Sequence, residues 1–138
     1  MLGKLKRSSL VLCAILVSVS CGGKKKVMNK YYGAWELISA YGEDYSAVKA
    51  TIEFRGRGTL FGFGGCNNYS GTYALDEEKR TLTFGPLMAT KKYCQGKNSE
   101  AEGKLFRALN NTTLYLPKPE GIYLQNARKE TLAFIKKR

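Results

Sequence analysis

Residues 47–54, AVKATIEF, restrict this chain more than any other stretch. Val48, Ala50, Ile52 and Phe54 fall on one side of an extended backbone; Lys49, Thr51 and Glu53, continued by Arg55, fall on the other. Side chains of a strand alternate between faces, so the pattern belongs to an antiparallel strand with one face on a core and one in water. The same rhythm recurs downstream. RGRGT (55–59) turns the chain, LFGFGG (60–65) starts a second strand and YSGTYAL (69–75) returns as a third. DEEK (76–79) turns again, and RTLTF (80–84) carries Leu82 and Phe84 inward. Gly62, Gly64 and Gly65 would weaken a flat strand and point to a bulge or a close backbone approach. Asn67 and Asn68 beside them tolerate left-handed dihedrals.

One segment breaks this rhythm. Ala101, Leu105, Ala108 and Leu109 fall at i, i+4, i+7 and i+8, the apolar stripe of a helix, with Lys104 and Arg107 toward the other side. Ser99 followed by Glu102 reads as a capping box, and Asn110 or Asn111 as the helix end. TLYL, GIYLQ and TLAFI then resume strand periodicity. Together these runs define an α+β fold: an antiparallel, curled, partly open barrel-like sheet of about eight strands, with one helix inserted before the last three. Tyr31, Tyr32 and Trp35 are expected to pack at a strand edge.

The compartment follows from the first residues. Lys4, Lys6 and Arg7 precede an apolar and small-residue run from Leu10 to Ser20. A membrane span needs about 20 apolar residues, so this run fits a secretory signal instead. Ser18-Val19-Ser20 directly before Cys21 resembles the bacterial lipobox, whose cysteine is acylated and becomes the mature N-terminus. The family of such signals usually has Leu where this chain has Ser18. An ordinary signal peptide cut near Ser20 is the alternative. The expected organisation is a signal peptide over 1–20, a basic linker over 21–30 and one domain over 31–138.

Loss of Lys4, Lys6 and Arg7 lowers the formal charge from +12 to +9. A basic balance often marks nucleic-acid binding, but export leaves phospholipid and lipopolysaccharide head groups as the available polyanions. Lys24, Lys25 and Lys26 sit beside the proposed lipid, where each lysine near an anionic leaflet contributes about 1 kcal/mol. A solvated tether is the other reading of that run.

Cys13 leaves with the signal and Cys21 takes the lipid, so Cys66 and Cys94 remain as an even pair in an oxidising compartment. A disulfide between them is the expectation; two buried thiols packed side by side is the alternative. Reactive chemistry has little support. The chain contains no histidine, which removes Cys–His nucleophiles and the usual general base. Two cysteines alone do not make a tetrahedral zinc site, and the Cys-x-x-Cys spacing of redox sites is missing.

Three blocks then carry a family resemblance: Trp35-Glu36-Leu37; Gly65-Cys66-Asn67-Asn68-Tyr69-Ser70-Gly71-Thr72-Tyr73; and Gly85-Pro86-Leu87-Met88-Ala89-Thr90-Lys91-Lys92-Tyr93-Cys94. They resemble the META domain, also called the HslJ-like family, over residues 31 to 136. The family often has Thr-Arg/Lys-Met-x-Cys where this chain has Thr90-Lys91-Lys92-Tyr93-Cys94, and Phe where it has Tyr69. The resemblance implies a small α+β fold in an envelope or secreted protein, with roles in stress tolerance, and no defined reaction.

Asn67, Asn68, Ser70, Thr72 and Thr90 form the polar cluster of the best motif. Asn67, Asn68, Tyr69 and Thr90 are the candidate contact site. The competing reading has the asparagines bonding turn backbone and the threonines filling strand positions. The function expected is non-catalytic: a lipid-anchored protein of a bacterial cell envelope, facing the periplasm or the surface and acting by binding, with a small periplasmic inhibitor or ligand-binding module as the alternative. Asp44, Asp76, Glu77 and Glu78 sit in turns without the spacing of a catalytic carboxylate pair. The expected partners are the membrane, through a lipid at Cys21, and an envelope protein or small ligand. No cofactor, metal or nucleic acid is expected, and the state expected is monomeric.

Overall fold

The computed structural model describes residues 31–136; the signal peptide, Cys21 and the basic linker lie outside them. In chain order the elements are β1 (Gly33–Ala40), β2 (Glu43–Asp44), β3 (Thr51–Arg55), β4 (Thr59–Phe63), β5 (Asn68–Asp76), β6 (Thr81–Phe84), β7 (Met88–Ala89), α1 (Lys97–Asn110), β8 (Thr112–Lys118), β9 (Gly121–Asn126) and β10 (Thr131–Lys136). Eight strands pair antiparallel in the ring β1-β3-β4-β5-β6-β8-β9-β10, and β10 returns to β1 with Trp35 opposite Lys136 and Ala40 opposite Leu132. The curled sheet thus closes. β2 and β7, two residues each, are appended to β1 and β5. The thinnest seam lies between β6 and β8, where Thr81 pairs with Leu114 and the Tyr115 N–H donates to the Arg80 carbonyl at 3.1 Å.

The inward side chains are those the alternation placed there. Ala50, Ile52 and Phe54 are buried from the segment before β3 and from β3 itself; Leu60, Leu82, Ile122, Leu124, Leu132 and Phe134 join them from other strands. Burying a side chain of this size stabilises a fold by about 1.5–3 kcal/mol. Val48 departs from the pattern. It ends a short 3-10 turn over Ser46–Val48, Lys49 takes a left-handed conformation at φ 60°, and extension resumes only at Thr51.

The expected edge position of Tyr31 and Trp35 is corrected. Closure gives β1 a neighbour on each side, β3 and β10, and both rings are buried. The Trp35 indole N–H donates to the Tyr31 carbonyl at 2.8 Å, and the Tyr31 ring meets Tyr115 edge-on with centroids 5.8 Å apart. Tyr32 is half-buried and packs against the same core.

The helix buries the stripe expected of it, Ala101, Leu105, Ala108 and Leu109. Its start differs. Gly96 occupies the N-cap with no side-chain bond, and Ser99 lies within the first turn. Glu102 is therefore not half of a capping box; it faces the loop before β5, described below.

Gly62 answers the expectation of a close backbone approach. A methyl group there would overlap the Thr51 carbonyl oxygen and the Tyr69 ring. Gly62→Ala is expected to destabilise toward the upper end of about 1–3 kcal/mol, the usual cost of overpacking. At Gly56 an added methyl meets Tyr32 Oη at 3.6 Å, and Gly56→Ala should stay within about 0.5 kcal/mol of the parent. Urea midpoints of the two variants measure the difference.

Candidate functional site

The site is built where the β4–β5 loop, the segment after β7 and helix α1 converge. Gly65 makes the sharp bend at φ 115°, with no room for a side chain because Val48 Cγ1 would lie 2.7 Å from an added Cβ. The positive φ of this loop thus belongs to Gly65, and neither Asn67 nor Asn68 adopts one. This bend turns successive backbone N–H groups toward the helix. The N–H groups of Cys66 and Asn67 donate to Glu102 Oε2 at 3.1 and 2.5 Å, and Asn67 Nδ2 donates to Glu102 Oε1 at 2.8 Å.

The other half of the Asn67 amide reaches the opposite way. Its Oδ1 accepts from Thr90 Oγ1 at 2.8 Å and from the Lys92 backbone N–H at 2.7 Å. The amide presents a donor and an acceptor on opposite sides of one plane, so it can bond in both directions at once, whereas an ionised carboxylate only accepts. Glu102 therefore orients Asn67, and Asn67 holds the segment after β7. Two backbone bonds add to this: the Gly64 N–H to the Asn67 carbonyl at 2.8 Å and the Thr90 N–H to the Asn68 carbonyl at 3.0 Å. The Cys66–Cys94 disulfide, with Cα atoms 6.0 Å apart, joins the same two segments covalently.

Tyr69 points into the core. Its hydroxyl donates to the Thr51 carbonyl at 2.8 Å, its ring meets Phe106 edge-on at 5.2 Å, and burial pushes the hydroxyl far above the ordinary tyrosine range. It is a neutral donor and a packing group.

A shallow groove lies outside this framework. Phe61 of β4 pairs with Ser70 of β5, and Ser70 pairs with Met88 of β7. A small residue between two large ones leaves a depression of about 300 Å³, with Asn68 and Thr90 on its lining and Tyr69 contributing to it. Phe61 is 42% and Met88 70% exposed. The Arg55 guanidinium lies 4.3 Å from the Phe61 ring centroid while pairing with Glu53 at 2.8 Å.

The four candidate contact residues thus divide. Asn67 is buried and committed to internal bonds, Tyr69 packs inward, and Asn68 and Thr90 border the groove. Ser70 lines it as well; Thr72 lies further along β5, opposite Thr59. Sequence reasoning missed Glu102, Phe61 and Met88. For Phe61 a signal existed, since it follows the inward Leu60 and so faces out. Asp44 and Asp76 each accept a backbone N–H of their own turn, from Ser46 at 2.8 Å and Lys79 at 3.0 Å; these bonds lower both carboxyls below the ordinary aspartate range.

A closed antiparallel barrel with one helix, whose part-buried amide–carboxylate pair and disulfide brace two neighbouring loops, defines a class of small β-barrel domain in which the polar motif residues hold structure. The META domain model matches residues 29–138, and the chain belongs to the META domain family. Solved structures share the fold. One is a DUF4847 family protein from Bacteroides vulgatus, 20% identical, with a TM-score of 0.61 over 78% of this chain and 94% of that one. Another is a protein from Burkholderia xenovorans, 27% identical, with a TM-score of 0.55 over 76% of this chain and 78% of the other. No curated protein matches the chain.

Proposed function

We propose that this META domain protein is exported, anchored by a lipid on Cys21 and non-catalytic, acting in the bacterial cell envelope by binding, with a part in envelope stress tolerance. The observation that carries the reading is the use made of the motif: the side-chain polar atoms of Asn67 bond to Glu102, Thr90 and Lys92. What this bracing supports is an exposed surface with Phe61 and Met88 on it. A chain without histidine also lacks the commonest general base. The second reading, a small inhibitor or ligand-binding module, draws on the groove. Its volume of about 300 Å³ sits at the lower limit of ligand pockets, which enclose most of their ligand. The open form suits contact with a surface better.

The anchor is tested in cells. Cys21→Ala should abolish palmitate labelling, and globomycin treatment should leave the acylated precursor uncleaved, read by palmitate labelling and by intact mass. Palmitate labelling unchanged by Cys21→Ala, or processed mass unchanged by globomycin, would refute the lipid anchor. For the binding surface, a photo-crosslinking residue at Asn68 should give defined adducts in envelopes; the same probe at exposed Lys118 should give none of them.

A further inference from the structure

We infer that the segment from Met88 to Tyr93 is a membrane-contact loop that docks the domain on an anionic phospholipid surface. The inference rests on the proposed export of the chain and names a partner for the braced surface.

All six residues of this segment are exposed, Met88 at 70% and Tyr93 at 86%. Two large apolar side chains therefore stand in water with Lys91 and Lys92 between them. Between Glu78 and Glu100 the sequence contains no acidic residue. The four ion pairs among the described residues engage Lys49, Arg55, Lys79 and Lys104, and neither Lys91 nor Lys92 takes part in one. Charge complementarity thus selects an anionic partner, and the thioether and phenol flanking the two cations select one with an apolar layer beneath the charge. A lipid head-group region has both. Tyrosine suits that boundary because its ring is apolar and its hydroxyl polar.

The loop is also held in place before it meets a partner. Asn67 Oδ1 accepts from Thr90 Oγ1 and the Lys92 N–H, the Thr90 N–H bonds the Asn68 carbonyl, and the disulfide pins Cys94. A surface ordered by its own fold loses little further freedom on docking. The ten residues from Cys21 to the start of the described domain span at most about 35 Å, comparable to the width of a domain this size. An anchored chain can therefore bring this face to the bilayer.

Tyr93→Trp in the full chain, combined with Cys21→Ala to exclude a lipid, places a fluorophore in the loop; Trp35 is buried and gives a constant background. With vesicles of equal phosphatidylglycerol and phosphatidylcholine, emission from position 93 should shift to the blue and be quenched by brominated acyl chains. Pure phosphatidylcholine vesicles should produce neither change. Adding Lys91→Gln and Lys92→Gln should weaken the apparent partitioning about thirtyfold, from about 1 kcal/mol per lysine near an anionic surface, with circular dichroism unchanged. The inference is overturned if the chain sediments with anionic vesicles while emission from position 93 stays constant, if neutral vesicles work equally well, or if only a protein fraction of the envelope shifts the emission. Acylation of Cys21 is read separately by palmitate labelling of the parent chain, so the anchor and the loop can fail independently.

Discussion

With Cys66 and Cys94 both replaced by alanine, the domain loses about 3–4 kcal/mol and its urea m-value rises. The bridge spans 28 residues of sequence, and the chain-entropy relation for a loop of that length gives this magnitude. Domains of this size are stable by only about 5–15 kcal/mol, so the loss is a large share of the total. At roughly 4–8 °C per kcal/mol, the melting temperature should fall by about 12–32 °C. The rise in m separates this mechanism from a lost native contact: without the link the unfolded chain expands and exposes more surface to urea. Alanine at both positions avoids a free thiol that could pair with another chain. A fall in stability with m unchanged would place the effect in the native packing around Cys66, and the unfolded-chain account would fail.

The legible parts of this fold were those whose causes are local. Alternation from Ala50 to Phe54 needs only neighbouring residues, and the stripe Ala101, Leu105, Ala108, Leu109 needs only two turns of helix; both stand as read. Misreadings occurred where a distant partner decides. Trp35 was placed at an edge because nothing near it shows that β10, about a hundred residues later, returns to pair with β1. Val48 fits the strand pattern, yet the left-handed Lys49 separates it from β3. Gly65, which can adopt a positive φ without steric cost, carries the bend, and the left-handed tolerance of Asn67 and Asn68 goes unused. Of the candidate contact residues, the alternation within β5 already implied that Asn68 and Tyr69 face opposite ways. The burial of Asn67 depends on a carboxylate 35 residues away in sequence, which no short motif records. Met88 was quoted within the family motif, but its exposure follows from a two-residue strand too short to show periodicity.

Glu102→Ala is expected to cost about 3–5 kcal/mol, although Glu102 is neither catalytic nor part of a helix cap. Three donors, the N–H groups of Cys66 and Asn67 and the Nδ2 of Asn67, converge on its two oxygens. Hydrogen bonds to a charged group contribute about 1.5–3 kcal/mol each; water can reach a half-buried site and recover part of the loss. Glu102→Gln is the sharper test. An amide oxygen can accept from the two backbone donors, but its NH2 then faces the Nδ2 of Asn67. Turning the Asn67 amide over would relieve that conflict and let Thr90 Oγ1 accept instead of donate, while breaking the bond from the Lys92 N–H. Glutamine should therefore recover only part of the stability, and hydrogen exchange at the Lys92 amide should speed up in both variants. The urea m-value should not change, in contrast to the loss of the disulfide. Ser99→Ala distinguishes this bracing from the capping box suggested by the sequence. A true cap would lose about 0.5–2 kcal/mol; with Gly96 at the N-cap and no side-chain bond there, the variant should remain within about 0.5 kcal/mol of the parent. If Ser99→Ala proved as damaging as Glu102→Gln while exchange at Lys92 stayed slow, Glu102 would be acting on the helix alone, and the two loops would be held together by the disulfide without it.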